Sequence, residues 1–155
     1  MAKKERSFLV LLAEFFYCGR FPIMPGTIGS LGSLVIWIPS VYYAWPFFIK
    51  LFLLIAIFFI GVWACGPAID YYQKSDPKQV VIDEVVGQGI PFLIIHYCLF
   101  EIVLAFLLFR FFDILKPWPI KWIERKFPDR WGIMLDDVMA GIFALIVLAI
   151  VQYFN

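Results

Sequence analysis

Long apolar segments divide this chain, and the short polar segments between them carry nearly all of its charge. Segments 27–45, 47–68 and 133–154 are long enough to cross a bilayer, because about 20 apolar residues span its hydrocarbon core. Pro39 is expected to kink or shorten the first of these helices. The pattern predicts an all-α, polytopic membrane protein that folds as one membrane-embedded domain over residues 1–155.

The N-terminal segment has a basic start followed by apolar residues, as signal peptides do. Glu14 interrupts the apolar run, however, and no small-residue cleavage site follows it. The uninterrupted apolar stretch is also too short to span a bilayer. We therefore expect residues 1–24 to form a helix that lies at the membrane interface, with a lead-in to the first span.

A further apolar segment, residues 85–112, is interrupted only by Pro91, His96 and Glu101. As a single helix it would be about 42 Å long, and both polar side chains would lie in or near a hydrocarbon core of about 30 Å. Two shorter helices that turn near residues 96–101 avoid this placement. The segment therefore predicts a helical hairpin, full or re-entrant, that returns the chain to the face where it began.

The distribution of basic residues supports the hairpin. With it, twelve of the thirteen Lys and Arg residues lie on one face of the membrane, and only Lys50 lies on the other. With a single span, the most basic loop, residues 113–131, would lie on the opposite face. The positive-inside rule makes the basic face cytoplasmic.

Composition agrees with a membrane protein, since 63% of the residues are hydrophobic and the mean hydropathy is +0.89. Cys18, Cys65 and Cys98 lie apart in apolar surroundings, so neither a disulfide framework nor a cysteine metal site is expected. The net charge of +1 identifies no partner. Membrane lipid is the expected partner, nucleic acid is not, and the oligomeric state stays open.

The hairpin brings five carboxylates to the cytoplasmic face: Asp83, Glu84, Asp113, Asp136 and Asp137. Acids beside an apolar core are costly unless they are paired, so they tend to be functional. Hard oxygen ligands without His or Cys favour Mg²⁺ or Mn²⁺ over zinc. Two structural alternatives stay open: the acids could cap helix N-termini, or basic neighbours could neutralise them in an ion network.

Cationic residues flank one of these acids. Arg110, Asp113 and Lys116 recur every third residue, so they would share a helix face until Pro117 ends the helix. A metal-binding acid between two cations suits a phosphate. Arg and Lys side chains that snorkel to the interface would give the same pattern.

Glycine-containing segments add two weaker signals. The loop MPGTIGS, residues 24–30, would present approachable backbone N–H groups at a helix start, which suits phosphate, although small residues also serve helix packing. Gly87 and Gly141 each follow an acid by one helical turn. That spacing would let two helices approach closely enough for one ion to contact acids from both.

Four motifs occur together, in a specific order and at specific separations. They are PGTIGS at 25–30, DEVVG at 83–87, FRFFDILKPWP at 109–119 and GIMLDDVMAG at 132–141. As a set they resemble the phosphatidylglycerophosphatase A family, over nearly the whole chain from Pro25 to the last span.

The resemblance implies a bacterial inner-membrane enzyme that depends on Mg²⁺ and converts phosphatidylglycerophosphate to phosphatidylglycerol and inorganic phosphate. Carried onto this chain, the catalytic and metal-binding acids are Glu84, Asp113 and Asp137, with Asp83 and Asp136 close behind. The expected phosphate-binding residues are Thr27, Ser30, Arg110 and Lys116. The match does not decide which acid binds metal and which acts as base.

Other phosphatase chemistries fit the sequence less well. His96 lies in the predicted far turn, no cysteine has the CxxxxxR spacing, and no DxDx[TV] stretch occurs. A metal-activated water that attacks a phosphate monoester is the mechanism that remains. A small ion transporter or a structural membrane subunit could hold the same acids, although a transporter would need them near the bilayer midplane.

Overall fold

The regular structure of the described part of the chain is entirely helical, as the sequence predicts, and includes seven α-helices. The computed structural model describes residues 7–96, 98–127 and 129–154, so Lys3, Lys4 and Arg6 of the predicted interfacial helix lie outside the described residues. The helices are α1 (Phe8–Ala13), α2 (Pro25–Tyr42), α3 (Phe47–Tyr72), α4 (Ile82–Gly89), α5 (Leu99–Leu115), α6 (Ile120–Lys126) and α7 (Asp129–Phe154).

Helices α3 and α7 are long and apolar enough to cross a membrane. Each has 26 residues, and their most apolar windows have mean hydropathies of 2.6 and 2.4. Only 28% of that window in α3 is buried inside the protein, and large side chains such as Phe48 and Phe52 point outward. An outward apolar surface of this kind is suited to lipid contact.

The first predicted span corresponds to α2, which runs through Pro39 and ends at Tyr42. Helix α2 contains three glycines and three serines, which lower its hydropathy, and it does not reach the apolar character of α3 and α7. Its crossing of the membrane stays a prediction.

The N-terminal helix is much shorter than the predicted segment, because the chain turns sharply after Ala13. Phe15, Phe16 and Tyr17 have φ values of 43°, 50° and 74°, a left-handed conformation that no α-helix contains. The carbonyl of Ala13 accepts a hydrogen bond from the Val81 N–H at 2.9 Å. Helix α1 is therefore fixed against the segment that leads into α4.

The chain reverses direction between α4 and α5, at the place where the sequence predicts a turn. The arms are unequal, with 8 and 17 residues, because Pro91 follows α4 and begins a short 3₁₀ turn. The Lys50 ammonium donates to the Phe92 carbonyl at 3.1 Å, and the Gln152 amide donates to the Ile94 carbonyl at 3.3 Å. The turn thus lies beside the start of α3 and the end of α7. The position of this turn relative to the membrane stays a prediction.

Helix α4 lies at the centre of the fold and packs closely against α7. A Cβ atom on Gly87 would lie 2.7 Å from the Asp137 carbonyl oxygen, and one on Gly141 would lie 2.4 Å from the Gly87 carbonyl oxygen. The close approach predicted from these two glycines is confirmed. The Trp37 indole N–H also donates to the Val85 carbonyl at 2.9 Å, which holds α4 against α2. The acids at the start of α4 are therefore carried by a rigid backbone.

Candidate active site

The five predicted acids line one cavity of about 440 Å³, as the chain reversal requires. Asp83 and Glu84 come from the first turn of α4, Asp113 from the last turn of α5, and Asp136 and Asp137 from α7.

A position at a helix N-terminus could account for Asp83 and Glu84, which lie in the first turn of α4, but not for Asp136 and Asp137. The N-cap of α4 is Val81, and no side chain forms a capping hydrogen bond there. Helix α7 begins at Asp129 rather than near residue 133, so Asp136 and Asp137 lie about two turns inside it. An explanation from helix ends would have required the α7 pair to lie in the first turn.

Two of the five acids are neutralised by the predicted cations. Arg110 Nη1 lies 2.6 Å from Asp113 Oδ2, and Lys116 Nζ lies 2.5 Å from Asp136 Oδ2. Helix α5 ends before Lys116, where Pro117 disfavours its continuation, and Lys116 itself has a left-handed φ of 42°. Lys116 therefore leaves the helical face that the sequence predicts it shares with Asp113, and it reaches across to α7.

The other three acids form a compact group without a basic partner. Each of Asp83, Glu84 and Asp137 offers one carboxylate oxygen, and these oxygens all lie within 4.8 Å of one another. Glu84 and Asp137 are 9% and 3% exposed. Asp83 Oδ1, Glu84 Oε2 and Asp137 Oδ2 are buried without a hydrogen-bond partner, and no Lys or Arg of the described segments forms an ion pair with these three residues. We call these residues the acid triad.

The electrostatics of the triad favour binding of a cation. Burial, together with the Asp137 carboxylate, raises the pKa of Glu84 to about 8, although Arg110 opposes the shift. Burial, followed by the Glu84 carboxylate, also raises the pKa of Asp83 well above its usual range. Three converging oxygen donors with uncompensated charge fit a hard divalent cation. The structural ion network considered from the sequence accounts for Asp113 and Asp136 but not for the triad.

The loop of residues 24–30 does not contact the cavity in the way that the sequence predicts. Of the residues predicted to bind phosphate, Lys116 lines the cavity, whereas Thr27, Ser30 and Arg110 do not. The Ser30 hydroxyl accepts a hydrogen bond from Arg110 Nη1 at 3.3 Å and donates to the Gly26 carbonyl at 2.9 Å, so Ser30 orients the arginine. Thr27 is half-buried on the first turn of α2. Their assignment to phosphate binding stays a prediction.

Several lining residues were missed by sequence reasoning, among them Gly26, Asp76, Lys78 and Asp129. Gly26 lies so close to the triad that a Cβ atom there would be 2.3 Å from Glu84 Oε1. Its position next to Thr27 in the loop MPGTIGS was the sequence feature that could have identified it. Lys78 also lines the cavity, but nothing in the polar segment before α4 marks it.

Similarity to known proteins decides the family. The family described as phosphatidylglycerophosphatase A matches residues 11–152, which is most of the chain. The chain belongs to the phosphatidylglycerophosphatase A family. The resemblance carried by the four motifs is thereby confirmed, and with it the enzyme class, which is that of the lipid phosphatases.

Relatives within and near the phosphatidylglycerophosphatase A family cover most of the chain. The phosphatidylglycerophosphatase A of Escherichia coli is 35% identical over 135 residues, which are 86% of this chain and 77% of that protein. That of Haemophilus influenzae is 38% identical over 146 residues, 92% of this chain and 88% of that protein. A Bacteroides thetaiotaomicron protein, provisionally named a phosphatidylinositol-3-phosphatase, is 37% identical over 158 residues, 97% of this chain and 98% of that protein. No solved structure matches the chain significantly.

The cavity offers this phosphatidylglycerophosphatase A family member carboxylates and cations but no side-chain nucleophile of the cysteine or histidine type. No Cys or His is among the described residues that line it. His96 is exposed in the turn at the other end of the molecule, where its N–H donates to Glu101 Oε2 at 3.2 Å. The arrangement is therefore suited to water as the attacking group.

Proposed function

We propose that this protein hydrolyses the terminal phosphate monoester of phosphatidylglycerophosphate in a Mg²⁺-dependent reaction, which yields phosphatidylglycerol and inorganic phosphate. The observation that carries the proposal is the acid triad, three converging carboxylates without a basic partner, in a cavity that Lys78 and Lys116 also line. Membership of the phosphatidylglycerophosphatase A family supports the choice of reaction.

Asp83, Glu84 and Asp137 are the residues that would hold Mg²⁺, because their oxygens converge and lack other partners. When bound, the ion supplies positive charge to the phosphate oxygens and makes a water nucleophile more acidic. Asp113 and Asp136 border the triad and keep Arg110 and Lys116 in place. Of the five acids predicted to bind metal, we therefore assign three to the ion. The other two, Asp113 and Asp136, are positioning residues.

The chain's own residues supply the remaining steps. Lys116 and Arg110 would contact the equatorial phosphate oxygens and stabilise their charge in the transition state. A carboxylate of the cluster would accept the proton of the attacking water. The bond between phosphorus and the glycerol oxygen breaks, the alkoxide takes up a proton, and inorganic phosphate is released.

The membrane location of the reaction is part of the proposal. The described basic residues other than Lys50 lie in segments at the end of the molecule that holds the acid cluster, and this asymmetry supports a cytoplasmic orientation. The apolar surface of α3 supports burial in the bilayer. We place the enzyme in the bacterial inner membrane, with the lipid headgroup at the cytoplasmic interface and the acyl chains in the bilayer.

A second substrate is favoured by one relative. The Bacteroides thetaiotaomicron protein, provisionally named a phosphatidylinositol-3-phosphatase, aligns with nearly all of this chain. Both lipids carry a phosphate monoester on a polyol that a phosphodiester joins to diacylglycerol. The same cavity chemistry would therefore serve either headgroup, and the two substrates must be compared directly.

The non-enzymatic alternatives make different predictions. A transporter would place its acids along a path through the bilayer, whereas these acids lie at one end of α4, α5 and α7, beside cations that would repel a permeating ion. A structural subunit would tolerate neutralisation of the triad without loss of any reaction.

The test is phosphate release by the purified protein in detergent from phosphatidylglycerophosphate and phosphatidylinositol 3-phosphate, each with Mg²⁺ and with EDTA. Asp137→Asn removes one triad charge, and Asp70→Asn makes the same change at an exposed site outside the cavity. We expect release that needs Mg²⁺ and is lost only in Asp137→Asn. The thermal stability of the Asp137→Asn protein should also respond less to Mg²⁺, which reports on the ion independently of turnover. Release from neither lipid by folded wild-type protein would refute the phosphatase assignment.

A further inference from the structure

A second cavity of about 520 Å³ adjoins the active site. Pro25 and Lys78 line both cavities, so the two are neighbours along the same surface. The second cavity is otherwise formed by the segment after α1, including Arg20, together with Tyr72 and Gln79. None of the site residues predicted from the sequence lines it.

Arg20 is held in this cavity by a fully buried carboxylate. Glu14 has no exposed surface, its Oε1 accepts a hydrogen bond from the Tyr72 hydroxyl, and its Oε2 lies 3.3 Å from Arg20 Nε. The guanidinium also lies 5.3 Å from the centre of the Tyr17 ring. Glu14 contacts the guanidinium at Nε, and the Arg20 side chain remains 42% exposed. The planar guanidinium of an arginine can donate to two oxygens of one phosphate group.

The backbone around Arg20 is built to maintain that orientation. Three consecutive non-glycine residues, Phe15 to Tyr17, have left-handed φ values, which cost free energy and persist only when surrounding contacts enforce them. Gly19 packs so tightly that a Cβ atom there would lie 1.9 Å from the Gln79 carbonyl oxygen. The arginine is therefore preorganised rather than a mobile surface side chain.

The two cavities differ in charge. Seven carboxylates are among the described residues that line the first cavity, whereas no acid is among those that line the second, where Arg20 and Lys78 supply the charge. Lys78 is exposed and forms no ion pair with another described residue. The second cavity is thus suited to an anion that binds without a metal ion.

The surroundings of the second cavity indicate a lipid headgroup as the source of this anion. The segment that follows Arg20 exposes Phe21, Ile23 and Met24, which are 54%, 69% and 59% exposed. Consecutive exposed apolar side chains beside a basic residue are typical of a segment that lies in the membrane interface. A phosphate bound at Arg20 would therefore lie at the depth of lipid phosphodiesters.

We propose that the second cavity binds the phosphodiester of the lipid whose terminal phosphate monoester lies at the acid triad. This inference rests on the proposed function, since it divides the two phosphates of one headgroup between two adjoining cavities. Arg20 is the main phosphodiester ligand, Lys78 lies between the two phosphates, and Glu14 is the positioning residue that orients Arg20. The arrangement distinguishes a polyol phosphate headgroup from phosphatidic acid, which has no phosphodiester.

The test measures binding of dioctanoyl phosphatidylglycerol, which carries the phosphodiester but no monoester, to the purified full chain by calorimetry in detergent. Arg20→Ala should weaken binding about tenfold or more, because a charge-assisted hydrogen bond is lost. Arg20→Lys keeps the charge without the fork and should weaken binding less; it also serves if the alanine variant does not fold. Lys74→Ala removes a nearby exposed charge that lines neither cavity and is the matched control.

Kinetics give a second reading of the same variants. In Arg20→Ala, the KM for phosphatidylglycerophosphate should rise by a factor similar to the loss of phosphatidylglycerol binding, while kcat changes much less. An equal loss of kcat and binding would indicate a structural defect and would overturn the proposal.

Four further outcomes test the assignment of the second cavity. Unchanged phosphatidylglycerol binding in Arg20→Ala and Arg20→Lys would refute the cavity assignment, as would equal weakening by Lys74→Ala. Displacement of phosphatidylglycerol by equimolar inorganic phosphate would show a site for free phosphate and would also overturn it. Arg20-dependent phosphatidylglycerol binding by a protein that hydrolyses neither lipid phosphate would support the cavity and refute only the proposed function.

Discussion

Two regions of this protein bury a glutamate, and they differ in whether a basic side chain compensates its charge. Glu14 has no exposed surface, Arg20 forms an ion pair with it, and the Tyr72 hydroxyl donates a hydrogen bond to it. Glu84 is also buried, but it lies against Asp83 and Asp137, and no Lys or Arg of the described residues forms an ion pair with it. Burial of an acid is therefore not enough to identify a metal site. What distinguishes the triad is that the protein leaves its charge uncompensated.

The largest expected effect is on turnover at the triad. Glu84→Gln keeps the size of the side chain but removes a charge and an oxygen donor, so kcat for phosphatidylglycerophosphate should fall on the order of 10³-fold. Steady-state phosphate release measures this. Glu101→Gln makes the same chemical change at the opposite end of the molecule and should leave kcat unaltered. Wild-type turnover in Glu84→Gln would mean that the triad is not the reaction centre.

Replacement of each glutamate by glutamine should have different effects on the stability of the protein. Glu14→Gln should lower the free energy of unfolding by about 2 kcal/mol, because the ion pair with Arg20 is lost and the hydrogen bond from the Tyr72 hydroxyl no longer has a charged acceptor. Glu84→Gln in metal-free protein removes a destabilising buried charge, so its stability should be equal to or above that of the wild type. Thermal unfolding in detergent with EDTA checks both variants. A comparable loss of stability in both variants would contradict the proposed difference between Glu14 and Glu84.

Gly26→Ala should disturb the triad without changing any charge. A Cβ atom at this position would lie 2.3 Å from Glu84 Oε1, so the carboxylate must move. We expect kcat/KM to fall about 10- to 100-fold, since displacements of about 1 Å have effects of this size. Gly66→Ala is the control, because its nearest atom would be 3.7 Å away. Equal activities of the two variants would show that the position of Glu84 is not critical.

The smallest predicted effect concerns a cation rather than an acid. Lys116→Met removes the partner of Asp136 and a positive charge from the cavity, and should lower kcat/KM about tenfold. Lys121 is exposed and lies outside the cavity, so Lys121→Met should have no such effect. If both variants lose activity equally, general interfacial charge rather than a specific contact is responsible.

Sequence reasoning could predict the convergence of the acids, because it depends only on the chain reversal that returns Asp113 to the side of Asp83. The sorting of the acids into paired and unpaired groups could not be predicted. It depends on the left-handed conformation of Lys116, which directs this side chain to Asp136. The apolar pattern also placed the start of the last helix near residue 133, because the first turn of α7 is polar and carries no hydrophobic signal.

The role of Glu14 was beyond sequence reasoning for a different physical reason. In the sequence it is only a charge that interrupts an apolar run, and its hydrogen-bond partner Tyr72 lies 58 residues further along the chain. No local periodicity connects two such positions. The same holds for Lys78, whose importance comes from lying between two cavities that only the folded chain forms.

The exposed apolar side chains of Phe21, Ile23 and Met24 have a kinetic consequence. If substrate reaches the cavities sideways from the bilayer past this segment, the concentration that governs the rate is its mole fraction in the surface, not its amount per volume of solution. Diluting phosphatidylglycerophosphate with inert lipid, at constant total substrate, should then slow the reaction. Diluting the whole vesicle suspension, with the enzyme already embedded, should leave turnover per enzyme unchanged.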